Sequence, residues 1–533
     1  MKTPVADFLN KYCNPDAHNI RFHMPGHKGR CPADLEFQTD SDKKTVSLGE
    51  KYDITEISGA DSLYEADGII AESERNASEL FGTAATFYST EGSSQCIRAM
   101  LWLAVTTRRK NRNKAPVIVA ARNVHKSFVY AAALIGFEIE WLLPAVSESS
   151  STSSSESFSA SHSGCYSLCA CDISADALDQ KLSSLPCPPA AVYITSPNYL
   201  GGMADIQSLA NICHRHGTIL AVDNAHGAYL HFLKPHGLHP IDLGADICCD
   251  SAHKTLPVLT GGAYLHIGSR EKSGSDSAGN ACFSDRINKM IDDARNALAL
   301  FGSTSPSYLT LASLDLCNAC LASDGWYFAA LPDFVSRLDG LRSHLAAAGY
   351  KIYPSDPLRI TVCASGGAVF GSGFALADFL RAHGIECEYA DADFTVLMLT
   401  PLNTEPELCK LEAVLLSAAS EASETSEAFE AFEDLRSVSD IVSVSASGSV
   451  PDVGSGANSN AIIPDRVLSV REAFFMPHER IPVSEAIGRI CGAPAVSCPP
   501  AIPIVISGER ISAEAIGVFR HYGINEVEVI KEL

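Results

Sequence analysis

The chain has 533 residues, of which 46% are hydrophobic and 19% are charged, and its formal net charge at pH 7 is −23. This composition is typical of a globular protein and excludes a disordered or fibrous one, while the negative charge argues against a nucleic-acid partner, whose phosphates attract basic residues. The first residues lack the basic and apolar regions of a signal peptide, and no apolar run is long enough to span a bilayer, so we expect a cytoplasmic protein without a membrane partner.

Short apolar strands alternate with helical stretches between residues 80 and 270. Strands are predicted over 116–123, 190–198, 217–227, 245–254 and 261–269, and helices over 125–136 and 205–217. Runs rich in β-branched residues, separated by amphipathic helices, are typical of a mostly parallel sheet covered on both faces. The predicted fold class is therefore α/β, and its ligands are expected at the carboxyl ends of the strands.

Two low-complexity stretches interrupt this pattern. Residues 146–164 are rich in serine, and residues 417–460 begin with a helix-like segment and continue as a linker rich in serine and glycine. Neither stretch has enough apolar residues to form a core, so both are predicted to be loop expansions and not functional sites. From residue 461 onward the apolar pattern returns, which predicts a further globular domain.

The 18 cysteines do not indicate a disulfide-rich scaffold, because the chain is long and most of them lie inside apolar runs. Cys317 and Cys320 have the CxxC spacing, and Cys165, Cys169 and Cys171 cluster, but no second well-spaced pair accompanies them. A structural zinc site usually combines two such pairs. The sequence therefore predicts no metal site.

Four polar groups follow apolar strands along the chain, in the order Gly92–Ser94, His125, Asp223 and Lys254. Each has an ordinary structural explanation, since serine and aspartate cap helices and turns and a lone histidine or lysine is usually structural. Together they match the needs of pyridoxal phosphate, which requires a lysine amine for a Schiff base and an acid facing the ring nitrogen. Its phosphate would suit a helix N-terminus, so the combination indicates this cofactor.

The sequence resembles the bacterial ornithine/lysine/arginine decarboxylases, which are fold-type I pyridoxal-phosphate enzymes. The resemblance rests on RFHMPGHKG (21–29), KYDITEISGADSLYEADGII (51–70), FYSTEGSS (87–94), NVHKSF (123–128), TSPNYLGGMADI (195–206), VDNAHGAYL (222–230), SAHKTLPVLTGGAYLH (251–266), STSPSYLTLASLD (303–315), EAIGRI (485–490) and PPAIPIVISGERI (499–511). It implies a cofactor-binding major domain over 1–310, a small α+β domain over 311–416, a linker over 417–460 and a C-terminal decarboxylase domain over 461–533. HMPGHK lies close to the N-terminus, as in the short biosynthetic members that lack an N-terminal wing domain.

The resemblance also implies roles for individual residues. Lys254 is the Schiff-base lysine, Asp223 the partner of the ring nitrogen, and His125 the residue stacked on the ring. The phosphate would be surrounded by Gly92, Ser93, Ser94, Ser251 and His253, and the other side of the ring by Ala225 and His226. Ser303 and Thr304 are expected to complete the phosphate site of a neighbouring subunit, which implies a homodimer or a higher oligomer. Whether Lys254 or His253 returns a proton to the α carbon is left open.

Some positions depart from the family pattern. Asn224 stands where glutamate is common, Tyr64 where histidine is common, Thr260–Gly262 where TQG is usual, and PPAIP (499–503) where PPGIP is usual. None of these changes removes a group expected to bind the cofactor. The changes at Tyr64 and Asn224 bear on which substrate is preferred.

The expected activity is decarboxylation of a basic L-amino acid to its amine and carbon dioxide, with arginine favoured over lysine or ornithine, in polyamine biosynthesis. The alternatives are an aminotransferase or carbon–sulfur lyase of the same fold, or a non-catalytic protein that still binds the cofactor. A basic substrate carries a positive charge at the end of its side chain, and a carboxylate in the pocket would recognise it. The candidates are Glu386, Glu388, Asp391 and Asp393. The alternative is that these four residues form a solvent-exposed acidic edge of the small domain. His23, His27 and Lys28 either close over the site or anchor the N-terminal segment across a dimer.

Overall fold

The computed structural model describes residues 1–14, 19–30, 48–108, 115–143, 173–233, 237–269, 278–364, 369–436, 465–498 and 502–531. The serine-rich stretch 146–164, the cysteines at 165–171 and most of the predicted linker lie outside the described residues. Within the described part of the chain, no helix is both long enough and apolar enough to cross a membrane.

A seven-stranded sheet forms the centre of the molecule, with the strand order β1-β7-β6-β5-β4-β2-β3. Only β7 runs antiparallel to its neighbours, which confirms the predicted α/β class with a mostly parallel sheet. The strands are β1 (Ala85–Ser89), β2 (Val117–Ala121), β3 (Glu138–Leu142), β4 (Ala191–Thr195), β5 (Ile219–Asp223), β6 (Ile247–Asp250) and β7 (Ala263–Ile267).

The central strands are apolar throughout because helices cover both faces of the sheet. All five residues of β5 are buried. Side chains of a strand alternate between faces, so Ile219 and Ala221 pack into one core while Leu220 and Val222 pack into another. The helices of this region are Ile69–Phe81, Ser93–Arg108, Lys126–Ala131, Ala175–Ser184, Ile206–Arg215, Ala252–Thr255 and Ala278–Phe301.

A smaller antiparallel sheet follows, with the order β10-β11-β9-β8. Its strands are β8 (Lys351–Tyr353), β9 (Arg359–Cys363), β10 (Tyr389–Ala390) and β11 (Phe394–Met398). The helices around it are Tyr308–Leu321, Trp326–Ala347, Gly373–Ala382 and Glu405–Arg436. The last of these helices continues past residue 417, the predicted start of the linker. At the other end of the chain, the N-terminal helix Pro4–Tyr12 is held by Asp315, which accepts hydrogen bonds from the backbone N–H groups of Val5 and Ala6 at 3.0 Å each.

The C-terminal residues form two strand pairs, β12 (His478–Pro482) with β15 (Glu526–Ile530) and β13 (Ala495–Cys498) with β14 (Ile502–Ile506). The helices Val470–Phe475 and Ala513–His521 accompany them. A buried ion pair joins this part to the large sheet, since both guanidinium ends of Arg122 donate to Glu509, at 2.7 and 2.6 Å. Because Arg122 directly follows β2, the C-terminal part is anchored beside the strand end that leads to His125.

Candidate active site

The polar residues singled out in the sequence lie at one edge of the large sheet. Ser89, Ala121, Asp223 and Asp250 are the last residues of the parallel strands β1, β2, β5 and β6. Parallel strands end at the same edge of a sheet, so the segments that follow them converge there. This position agrees with the expectation from the sequence.

Lys254 lies at the centre of this edge, next to two further basic residues. Its Nζ atom is 2.8 Å from Nε2 of His226, and Nδ1 of the same imidazole is 2.5 Å from a guanidinium nitrogen of Arg359. Burial lowers the pKa of the Lys254 amine, and although the Asp223 carboxylate opposes this effect, Arg359 adds to it. A lowered pKa favours the neutral amine, which is the nucleophilic form of lysine.

Asp223 is a buried carboxylate with well-defined hydrogen bonds. Its Oδ2 atom accepts from the hydroxyl of Tyr193 at 3.0 Å, and its Oδ1 atom accepts from the backbone N–H of Ala225 at 3.2 Å. Burial raises the pKa of Asp223, and the positive charge of Lys254 counteracts part of that effect. A cationic heterocycle beside this carboxylate would favour its ionised form, so the residue fits the role of partner to a pyridinium nitrogen.

The residues predicted to hold the phosphate lie in the turn after β1. Gly92 has a φ of +71°, a conformation that favours glycine, and its N–H donates to the carbonyl of Gly261 at 2.7 Å. Ser93 and Ser94 begin a helix of 16 residues, whose first N–H groups are available to an anion. Ser251 and Ser127 donate to the hydroxyls of Ser93 and Ser94, at 2.7 and 2.9 Å. This arrangement of amides and hydroxyls fits a phosphate group.

The two histidines predicted to act near the ring have defined tautomers. Nδ1 of His125 accepts from the backbone N–H of Ser127 at 3.2 Å, so this residue caps the helix Lys126–Ala131. Burial lowers the pKa of His125 to about 4, and Lys254 and Lys126 contribute to the shift. Nδ1 of His253 lies 3.0 Å from the carbonyl of Gly262 and therefore donates to it. Stacking by His125 and proton transfer by His253 remain predictions.

Two of the departures from the family pattern, Tyr64 and Asn224, lie behind the predicted cofactor groups. The hydroxyl of Tyr64 accepts from Nε2 of Gln95 at 3.0 Å, and Oε1 of Gln95 accepts from Ser89. Asn224 is fully buried and donates to Asp250 at 2.7 Å. Both side chains therefore support neighbouring residues of the site through hydrogen bonds.

Asp250 is the centre of a buried cluster that the sequence did not reveal. Its Oδ2 atom accepts from Nε2 of His239 at 3.0 Å and from Nε2 of His266 at 3.2 Å. Burial acts to raise the pKa of Asp250, but these two donors outweigh it and hold the pKa well below its ordinary value. The thiol of Cys248 lies nearby, within metal-ligand range of His239 and Asp250. The hydrogen bonds to Asp250 account for the grouping, since they satisfy the buried carboxylate.

Of the four acidic residues proposed to recognise a distal cation on the substrate, Glu388 has the clearest connection to Lys254. Its carboxylate influences Lys254 and His253 electrostatically and accepts from the hydroxyl of Tyr199 at 3.4 Å. The Tyr199 ring packs edge-on against His226, with 5.3 Å between the ring centroids. Each of the other three carboxylates is bound elsewhere, Glu386 by Arg381, Asp391 by Tyr389, and Asp393 by His521 and Tyr522.

Among the described residues, neither the N-terminal motif nor the segment near residue 303 forms a hydrogen bond with Lys254, whose Nζ contacts His226. His23 contacts the hydroxyl of Tyr12 at 2.7 Å, His27 contacts Asp53 at 3.1 Å, and Lys28 donates to the carbonyl of His23 at 2.6 Å. Ser303 and Thr304 are exposed, and the Ser303 hydroxyl accepts from the backbone of Ser305. The contribution of Ser303 and Thr304 to a neighbouring subunit remains a prediction.

Arg359 was not identified from the sequence. It belongs to the small sheet and is connected to Lys254 through hydrogen bonds by way of His226. It begins β9, and only 1% of its side chain is exposed. Its guanidinium donates to the carbonyls of Asn198 and Tyr199 at 2.8 and 2.5 Å, besides its contact with His226. Its burial and its closeness to Lys254 mark Arg359 as a residue of the site, and both features appear only in the folded structure.

The family model described as "Orn/Lys/Arg decarboxylase, major domain" matches residues 3–361. The uncharacterized protein YaaO of Bacillus subtilis is 29% identical, with 97% of this chain and 93% of that protein covered. An arginine decarboxylase of Halalkalibacterium halodurans is 27% identical, with 94% and 90% covered. The crystal structure of the lysine decarboxylase LdcF of Francisella novicida superposes with a TM-score of 0.69 at 16% identity, over 99% of this chain and 81% of that one. At that identity the superposition shows the shared fold.

Proposed function

Because the chain belongs to the Orn/Lys/Arg decarboxylase family, we propose that it decarboxylates arginine, or alternatively lysine or ornithine, in polyamine biosynthesis. Family membership makes it a pyridoxal-phosphate-dependent carboxy-lyase that acts on a basic amino acid. The preference for arginine is supported by relatives named arginine decarboxylase, which align over 94% and 97% of this chain. We further propose that the enzyme is cytoplasmic.

The observation that carries the proposal is the position of Lys254 and Asp223 on one sheet edge with the Gly92–Ser94 turn. Lys254 would hold the cofactor aldehyde, and the substrate amine would displace it. Ser93, Ser94 and Ser251 would hold the phosphate at the start of the helix Ser93–Arg108. We assign the remaining ring contacts to His125, Ala225, His226 and His253.

Pyridoxal phosphate supplies an electron-accepting ring that takes up the electron pair left when the bond from Cα to the carboxylate breaks. Asp223 keeps a proton on the ring nitrogen, because a buried carboxylate stabilises an adjacent cation strongly. Lys254 or His253 then returns a proton to Cα. His253 would do so through Nε2, since its Nδ1 donates to Gly262.

We propose that the enzyme acts as a homodimer or a higher oligomer. In the single chain Ser303 and Thr304 are exposed, which leaves both side chains accessible to a neighbouring subunit. Contribution of Thr304 to a neighbouring subunit accounts for that exposure and for the resemblance of this segment to the family pattern.

Assays with arginine, lysine and ornithine in parallel test the proposed activity. We expect equal amounts of carbon dioxide and the corresponding amine, with the highest kcat/KM for arginine. Accumulation of a keto acid would instead identify an aminotransferase, and a sulfur product from a thioether substrate would identify a lyase. A protein that binds the cofactor but forms none of these products would be a non-catalytic relic.

Replacement of Glu388 by glutamine tests recognition of the distal cation. We expect KM for the basic amino acid to rise about tenfold with little change in kcat, since a partly solvated charge pair contributes about 1.4 kcal/mol. Glu386→Gln is the matched control, because Glu386 is an exposed carboxylate two residues away that pairs with Arg381. Equal KM values for the two variants would contradict the role of Glu388.

A further inference from the structure

Three basic side chains form a hydrogen-bonded row that ends at Lys254. A guanidinium nitrogen of Arg359 lies 2.5 Å from Nδ1 of His226, and Nε2 of His226 lies 2.8 Å from Nζ of Lys254. The sequence separation between Arg359 and His226 is 133 residues. If all three side chains were protonated, their positive charges would repel one another. The directions of the two hydrogen bonds show which of the three carries a charge.

The donor properties of arginine fix the protonation states of this row. A guanidinium has five N–H donors, no acceptor and a pKa above 12, so Nδ1 of His226 must be the acceptor in its contact with Arg359. A neutral imidazole then carries its proton on Nε2. Nε2–H points at Nζ of Lys254, which can accept this hydrogen bond only as an unprotonated amine.

We propose that Arg359 is a positioning residue that acts through His226 to hold Lys254 as a neutral amine, aimed for attack on the cofactor aldehyde. This inference rests on the proposed function, because it takes Lys254 as the attachment point. In the attack, the Nζ lone pair forms a bond to the aldehyde carbon. The carbon–oxygen bond then breaks, and both amine protons leave with the oxygen as water, so no oxidant or reductant is required.

Arg359 is held firmly enough for this role. Its guanidinium donates to two backbone carbonyls, those of Asn198 and Tyr199, and forms an ion pair of 3.2 Å with the buried carboxylate of Asp356. Asp356 is held in turn by the hydroxyl of Tyr229 at 2.6 Å. The guanidinium therefore cannot turn away from His226 without leaving several buried groups unpaired.

The charges around Lys254 act in opposite directions. Asp223 and Glu388 favour its protonated form, Arg359 disfavours it, and burial disfavours it most. Burial also lowers the pKa of His226, and both Lys254 and Arg359 contribute, which agrees with a neutral imidazole. The other titratable groups that act on this row are His125, His253 and Cys249.

The test measures how fast the full-length, cofactor-free protein captures pyridoxal phosphate between pH 6 and pH 10. Borohydride reduction followed by peptide mass spectrometry identifies the lysine that is labelled. Asp356→Asn serves as the background, because removing Arg359 alone would leave the Asp356 carboxylate buried without its partner. Capture by Asp356→Asn is compared with capture by the double variant Asp356→Asn/Arg359→Met.

We expect capture at pH 7 to be about tenfold slower in the double variant, which corresponds to a rise of one unit in the pKa of the amine. The two rates should converge at high pH, once the amine is neutral in both variants. Superimposable pH profiles would overturn the inference. Absence of label on Lys254 in the wild type at every pH would instead overturn the proposed attachment point, and this inference with it.

Variants of His226 give an independent test that leaves the Arg359–Asp356 pair intact. In His226→Gln, the amide carbonyl can accept from Arg359 and the amide N–H can donate to Lys254, whereas His226→Phe removes both hydrogen bonds. Both variants lose the imidazole that we assign to the cofactor ring, so the comparison is between the two of them: the pH profile of capture should lie at higher pH in His226→Phe than in His226→Gln. Equal profiles for these two variants would also contradict the inference.

Discussion

Replacement of Lys254 by alanine will abolish covalent retention of pyridoxal phosphate and lower amine production by at least about 10³-fold. The side chain has two proposed tasks, since it holds the cofactor before the substrate arrives and is a candidate for returning a proton to Cα. Neither neighbour can hold the cofactor in its place, because the imidazoles of His226 and His253 cannot form a Schiff base with an aldehyde. The measurement combines amine production with the visible absorbance that borohydride bleaches in the wild type.

Lys126→Ala is the matched control for Lys254→Ala. Lys126 is an exposed lysine beside His125 and influences that residue electrostatically, yet it makes none of the proposed cofactor contacts. We expect this variant to keep the bleachable absorbance and most of the activity. A Lys254→Ala protein that still forms amine at the wild-type rate would show that another amine carries the reaction.

The large sheet could be predicted from sequence because its signals are local. Every residue of β5 is apolar up to Asp223, where a carboxylate ends the strand, and the helix Ile206–Arg215 before it has a clear amphipathic period. Parallel strand ends meet at one edge as a matter of geometry. Together these facts predict that Asp223 and Lys254 lie near each other. The antiparallel direction of β7 was not predicted, since strand direction depends on pairing and not on periodicity.

The residues that support Lys254 could not be predicted, because their contacts join segments far apart in the chain. Arg359 reaches His226 across 133 residues and Arg122 reaches Glu509 across 387. A lone arginine at the start of a strand carries no local pattern that distinguishes a buried hydrogen-bonding role from an exposed one. His125 illustrates a different limit, since its helix-capping contact uses the Nδ1 edge of the imidazole and the proposed stacking on the cofactor would use its face. The sequence suggests a structural role and a cofactor-binding role for His125 as alternatives, but it does not reveal that one imidazole can perform both.

Replacement of Asp223 by asparagine will leave the cofactor attached to Lys254 and lower kcat by about 10²–10³-fold, comparable to the loss of one preorganised charge-stabilising group. The amide has nearly the same shape, so the contacts with the Tyr193 hydroxyl and the Ala225 N–H can persist at the carbonyl oxygen. What would be lost is the negative charge that we propose keeps the ring nitrogen protonated. Borohydride-bleachable absorbance together with kcat separates this effect from loss of the cofactor. Asp246→Asn is the matched control, since Asp246 is also a buried carboxylate but pairs with His214.

Tyr193→Phe should produce a smaller effect of the same kind, with a defined pH dependence. The Tyr193 hydroxyl lowers the pKa of Asp223 by donating to it, while burial raises that pKa. Without the hydroxyl the carboxylate takes up a proton at a higher pH, so activity should be lost earlier as the pH falls. At pH values well above this transition Tyr193→Phe should approach the wild-type rate, whereas Asp223→Asn, which has no carboxylate to ionise, should remain slow throughout. An Asp223→Asn enzyme that recovered the wild-type rate at high pH would show that the carboxylate is not the group that keeps the ring protonated.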